Sequence, residues 1–107
     1  MHPLLLLVAL SSQITFDTAQ DGDIYTITPQ VTLSQSCVCQ VQISATRSGS
    51  AGESTSVQRH SVTITANQPV ALARLRMTMS PQDKASITVT VTDGQSLQLS
   101  QRWGGGE

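Results

Sequence analysis

The stretch Cys37-Val38-Cys39-Gln40-Val41-Gln42-Ile43-Ser44-Ala45-Thr46 alternates with a period of two: Cys37, Cys39, Val41, Ile43 and Ala45 share one parity, and mostly polar residues hold the other. On an extended strand, side chains at i and i+2 leave the same face. The segment therefore reads as a strand with one apolar face. The chain's only two cysteines sit side by side on that face, with Val38 turned away.

The same alternation recurs on both sides, and no segment sustains a 3.6-residue pattern. Ile14 and Phe16 alternate with Thr15 and Asp17. The turn signal Gln20-Asp21-Gly22-Asp23 leads to Ile24–Thr28, and the odd parity runs on through Tyr25, Ile27, Val31 and Leu33. Pro29 interrupts it, and proline fits a central strand badly, so the pattern predicts an edge strand or a break there. Arg47–Thr55 is rich in Gly and Ser and reads as a mobile loop. Val57–Thr65 resumes as strand with Val62 and Ile64 inward, and Asn67-Gln68-Pro69 is a turn. The apolar parity then switches, from Val70 and Leu72 to Leu75, Met77 and Met79, which predicts a β-bulge near Ala73 or Arg74. After the turn Ser80–Lys84, Ile87, Val89 and Val91 alternate with Ser and Thr. Asp93-Gly94 is a hairpin signal leading to a last strand with Leu97, Leu99 and Trp103. Seven to eight short strands, with turns at intervals of about 8–12 residues, predict an all-β, immunoglobulin-like antiparallel sandwich. The widely spaced cysteine pair of antibody domains is not part of this pattern.

With 107 residues the chain holds one domain at most. The expected division is a short apolar segment over 1–11, a sandwich domain over 12–103 and a disordered tail over 104–107. The segment Leu4–Leu10 is apolar but lacks a preceding Lys or Arg. It reads as a partial signal peptide, with cleavage after Ala9 or Ser11; a first β-strand is the competing reading. The run is too short to span a bilayer. Phe16, Tyr25 and Trp103 are the only aromatics, so the core must be aliphatic. The formal net charge of −1 argues against nucleic acid as a partner. That figure conceals an asymmetry: up to Ser56 there are four acids and one base, whereas Val57–Arg102 carries five bases and two acids. The second half thus offers either a basic face or scattered solvated charges.

Four segments, LLLLVALSSQITF (4–16), VTLSQSCVCQVQI (31–43), ANQPVAL (66–72) and TVTDGQSLQLSQRW (90–103), together resemble the family of the curli assembly protein CsgC. The resemblance covers most of the chain. It implies a periplasmic immunoglobulin-like domain whose partner is the major curli subunit, with other curli secretion components as further partners. Its implied role is to hold back premature amyloid assembly of that subunit. No cofactor or small-molecule substrate is implied, and a monomer is expected.

The cysteines also allow a second function, thiol–disulfide activity in the curli system. An extended strand sets Cα(i) and Cα(i+2) about 6.5–7 Å apart, at the upper limit for a disulfide. A bridge between Cys37 and Cys39 would then need a kinked strand, and would be strained and easily reduced. Neither thiol has a basic sequence neighbour to activate it. The competing reading takes both as small apolar residues facing inward. His2 and His60 complete no recognised metal set with them. No Ser-His-Asp set, carboxylate pair or phosphate loop can be assembled, so a conventional enzyme is not expected.

A domain that restrains an amyloid can pair an edge strand with its client. It can also make weak electrostatic contacts with a disordered client. The few aromatics and many Ser, Thr and Gln favour the second mode. Arg59, Arg74, Arg76 and Lys84 are the candidate contacts, set against their plainer role as charges that keep edges from self-associating.

Overall fold

The computed structural model describes residues 12–50 and 52–105, which form eight strands and, among these residues, no helix. The apolar segment 1–11 lies outside the described residues. The strands are β1 (Gln13–Asp21), β2 (Ile24–Thr32), β3 (Cys37–Gly49), β4 (Gly52–Ile64), β5 (Val70–Ala71), β6 (Leu75–Thr78), β7 (Lys84–Thr92) and β8 (Gln98–Gly105). In the first sheet β2 is flanked by β1 on one side and by β5 and β6 on the other; the second runs β4-β3-β7-β8. All pairings are antiparallel. The two sheets make the all-β sandwich that the alternation predicts.

Each sheet buries the parity read from the sequence. Ile14, Ile27, Val31 and Leu33 of the first meet Cys39, Val41, Ile43, Ile64, Ile87, Val89 and Val91 of the second in one cluster. Phe16, Tyr25 and Trp103 are partly buried around it, so the centre is aliphatic throughout. Full burial of a Val or Ile side chain contributes about 1.5–3 kcal/mol, and these β-branched residues also suit the pleated backbone.

Pro29 corrects the expectation of an edge or a break in β2. The strand is continuous and central, and Pro29 is among its fully buried residues. The break falls in its neighbour. β5 and β6 are separate pieces of one edge, interrupted at Leu72–Arg74 opposite Pro29. In an antiparallel ladder a residue's N–H and C=O point to the same side. The Pro29 carbonyl accepts from the Leu72 N–H at 2.9 Å, so the missing Pro29 N–H faces this gap and leaves no neighbour unsatisfied. Ala71 pairs with Gln30 and Leu75 with Ile27, four residues advancing against three. That extra residue is the parity switch expected near Ala73 or Arg74.

Arg47–Thr55 is a second correction. It is the end of a long hairpin, in which β3 and β4 pair without interruption from Cys37↔Ile64 to Gly49↔Gly52. Composition suggested a loop because Ser and Gly carry no apolar face, but backbone pairing and β7 on the far side of β3 hold the segment extended. The Arg47 Nη1 donates to the Thr78 carbonyl at 2.7 Å and ties the hairpin to β6 across the sheets. A Cβ at Gly49 would collide with the Asp83 carboxylate, so the hairpin end also sits closely on the turn before β7. At the other end of the domain β8 continues through Gly104 and Gly105, past the expected start of a disordered tail.

The register makes a stability prediction. Ile43→Ala should cost about 3 kcal/mol in urea unfolding, as a buried aliphatic truncation. Val38→Ala, next to the buried Cys39 but on the opposite face and 69% exposed, should stay within about 0.5 kcal/mol.

Candidate functional site

Cys37 and Cys39 form a disulfide with a Cα–Cα distance of 5.4 Å, inside the usual range and shorter than a flat strand would give. The strand can draw in here because it is held on one side only. Cys37 and Cys39 pair with Ile64 and Val62 of β4, whereas the β7 ladder begins at Gln40. The two sulfur-bearing residues differ in access. Cys39 is completely buried in the core, and Cys37 is half-buried and lines a cavity of about 240 Å³ with Ser12, Leu33, Ser34, Ser36, Asp93 and Leu97.

The surroundings do not activate a thiol. Cross-strand neighbours of the pair are aliphatic, and Arg47 lies at the opposite end of β3. Among the described residues that line the cavity, the charged one is Asp93. Its carboxyl is held below the usual carboxylate range by the backbone N–H of Gln95 and then that of Leu97; Oδ1 accepts from them at 2.8 and 3.0 Å. Those bonds are built into the 93–97 loop that follows the expected Asp93-Gly94 turn, with Gly94 at φ +83°. An ionised carboxylate in this position disfavours a neighbouring thiolate and repels an attacking one. His60, opposite Val41, is a partly exposed strand residue.

The four basic candidates do not share one face. Arg76 pairs with Thr26 and points outward from the first sheet, and Arg74 borders a groove of about 480 Å³ on the same face, with Asp17, Thr26 and Thr28. Across this face stand Asp17 and Asp21 of β1, so two acids offset two bases. Arg59 and Lys84 point outward from the opposite sheet, where they pair with Gln42 and Ser48. The Arg59 Nε–H donates to the Gln42 Oε1 at 2.9 Å. Of the two readings left open by the sequence, neither holds whole: the bases are divided between the two sides, because alternate parities and separate sheets send neighbouring charges apart.

The second sheet adds a base that is counted in the sequence but is not among the four candidate contacts. Arg102 pairs with Thr88 and shares the outward face with Arg59 and Lys84. Its parity, opposite to Leu99 and Trp103, was the available signal. Three bases against Glu53 make this the net positive face. The remainder is mostly Ser, Thr and Gln, including Gln40, Ser44, Thr88, Thr90, Thr92 and Ser100, with Val38 and Val57 as exposed apolar residues on the same face.

This two-sheet antiparallel sandwich with a polar, positive outer face defines an immunoglobulin-like domain. The same fold is seen at TM-score 0.73 in the solution structure of R. palustris CsgH, at 19% identity and covering 90% of this chain and 94% of that one. The family model for the thin aggregative fimbriae synthesis protein matches residues 5–103. The chain is 58% identical over 103 residues to the curli assembly protein CsgC of Escherichia coli strain K12, covering 96% of this chain and 94% of the relative. It is 57% identical to the Salmonella typhimurium protein of that name, covering 96% and 95%. A solved structure of the E. coli curli protein CsgC superposes at TM-score 0.84 with 57% identity, covering 87% of this chain and 98% of that one. The chain belongs to the CsgC family.

The unequal access of the two sulfurs is measurable. After reduction of the folded domain, iodoacetamide should alkylate Cys37 at least about a hundredfold faster than Cys39, which reacts only through opening of the core. Peptide mass spectrometry reads the ratio.

Proposed function

We propose that this chain is a periplasmic curli assembly factor that binds the major curli subunit and restrains its amyloid polymerisation, acting by binding and not as an enzyme. Family membership supports the curli context, and the disulfide suits an oxidising compartment. Among the described residues no helix is long and apolar enough to cross a membrane. The observation that carries the mode of action is the outward face of β4, β3, β7 and β8. It combines Arg59, Lys84 and Arg102 with mostly small polar side chains, the exposed Val38 and Val57, and one acid, Glu53. Such a face attracts acidic stretches of a disordered client by weak, salt-screened contacts. Keeping the client dispersed disfavours the paired strands from which a fibril starts.

Arg74 and Arg76 are secondary in this reading, since Asp17 and Asp21 offset them on their own face. The second reading, thiol–disulfide exchange, is favoured by the half-buried position of Cys37. An aliphatic setting and Asp93 weigh against it.

A fibril-growth assay with purified curli subunit separates these readings. Arg59→Gln/Lys84→Gln/Arg102→Gln should raise the concentration needed for half-inhibition by about tenfold, the size expected from losing several surface charges. Arg74→Gln/Arg76→Gln and Cys37→Ala/Cys39→Ala should inhibit like the wild type. Loss of inhibition in the folded cysteine variant alone would transfer the function to the thiols.

A further inference from the structure

The edges of this sandwich are not equally protected. β1 and β8 come together and close one flank. On the other, the first sheet ends in the short pieces β5 and β6, split at Leu72–Arg74. β4 is different. It has thirteen residues, no proline, an unbroken register with β3 and, among the described residues, no second strand partner. Natural edges are ordinarily shortened, bulged or given inward charges. Residues 52–59 are exposed on both parities, and the inward positions Ser54, Ser56 and Gln58 carry no charge. This half of β4 therefore has two open faces and an open edge.

Backbone direction follows from the turn. Gly49 and Gly52 flank a two-residue connection, so they form a hydrogen-bonded pair. Alternation from that pair directs the even-numbered backbone groups of β4 to β3 and the odd-numbered ones, at 53, 55, 57 and 59, to the open edge. The acid and the arginine of β4, Glu53 and Arg59, are both odd and lie at equal distances on either side of Ser56.

We propose that a second copy of this chain pairs with β4 across a two-fold axis at Ser56. In that antiparallel register Glu53 stands opposite Arg59 of the partner, Thr55 opposite Val57, Ser54 opposite Gln58, and Ser56 opposite itself. Odd positions meet odd positions, so open donors face open acceptors along residues 53–59. Opposite charges directly across a strand pair are favourable and like charges are not, and the two-fold repeats the Glu53–Arg59 pair. A two-fold interface of this kind is self-complementary and closes. The Arg59 bond to Gln42 engages Nε and leaves the Nη groups for the partner carboxylate. The product is a continuous eight-stranded sheet whose outward face stays uncovered. The monomer expected from the sequence then has its longest open edge satisfied by its own copy. The pairing does not depend on the proposed client.

Analytical ultracentrifugation from about 1 μM to about 500 μM, the range of weak edge pairing, tests it. The wild type should show a reversible monomer–dimer equilibrium. Glu53→Arg and Arg59→Glu should each weaken it about tenfold, because symmetry counts each reversal twice. The double reversal Glu53→Arg/Arg59→Glu should return the dissociation constant to within about threefold of wild type. Val57→Pro removes an edge-facing N–H while leaving the even-numbered bonds to β3 in place. It should abolish dimerisation, with circular dichroism reporting the retained sandwich. A wild type that remains monomeric over the whole range, including one that pairs only with an added foreign strand, overturns the proposal. So does a dimer that withstands both single reversals or that the double reversal fails to restore.

Discussion

Ile27 and Val31 of one sheet pack against Val41, Ile43, Ile87, Val89 and Val91 of the other, and the arrangement of every other residue follows from that contact. Because the core has no aromatic at its centre, it is filled mainly by the β-branched Ile27, Val31, Val41, Ile43, Ile87, Val89 and Val91 at the central inward positions of β2, β3 and β7. A slip of one residue in any of those strands would exchange the aliphatic face for Ser, Thr and Gln. The register is therefore fixed by burial, and the outward faces are fixed with it. What reaches solvent is mostly a small-residue polar surface with a few charges and the exposed Ile24, Val38 and Val57.

The strands with strong alternation were legible in the sequence: the inward residues of β2, β3 and β7, the turn at Gly22, and the extra residue before Leu75. The misreadings share a cause. Pro29 looked like a strand breaker because its missing donor was judged within its own strand, whereas the adjustment lies in the gap between β5 and β6. Arg47–Thr55 looked like a loop because its side chains carry no apolar pattern, whereas its order comes from backbone pairing and from Arg47 reaching Thr78. Whether the basic residues share a face is not legible from sequence distance alone. Sheet membership, which sends Arg76 and Arg59 to opposite sides, is a long-range property.

The same division applies to the cysteines. Their shared face was readable, and so was the lack of a basic sequence neighbour. The contraction of the strand at Val38 was not, since it depends on where the β7 ladder ends. With one sulfur-bearing residue in an aliphatic core and the other beside Asp93, the disulfide resembles a clamp on the unpaired end of β3 more than an exchange centre. Function on this account belongs to the surface that the core contact leaves behind, with the positive face of the second sheet turned to a disordered client.

Backbone amide shifts of the isotope-labelled domain, recorded by NMR as purified curli subunit is added, test that claim most directly. Graded, salt-sensitive changes are expected on outward positions around Arg59, Thr88, Thr90 and Arg102, with Ser36, Cys37 and Asp93 unmoved. Changes centred on Cys37 and its cavity, and silent across the second sheet, would contradict it.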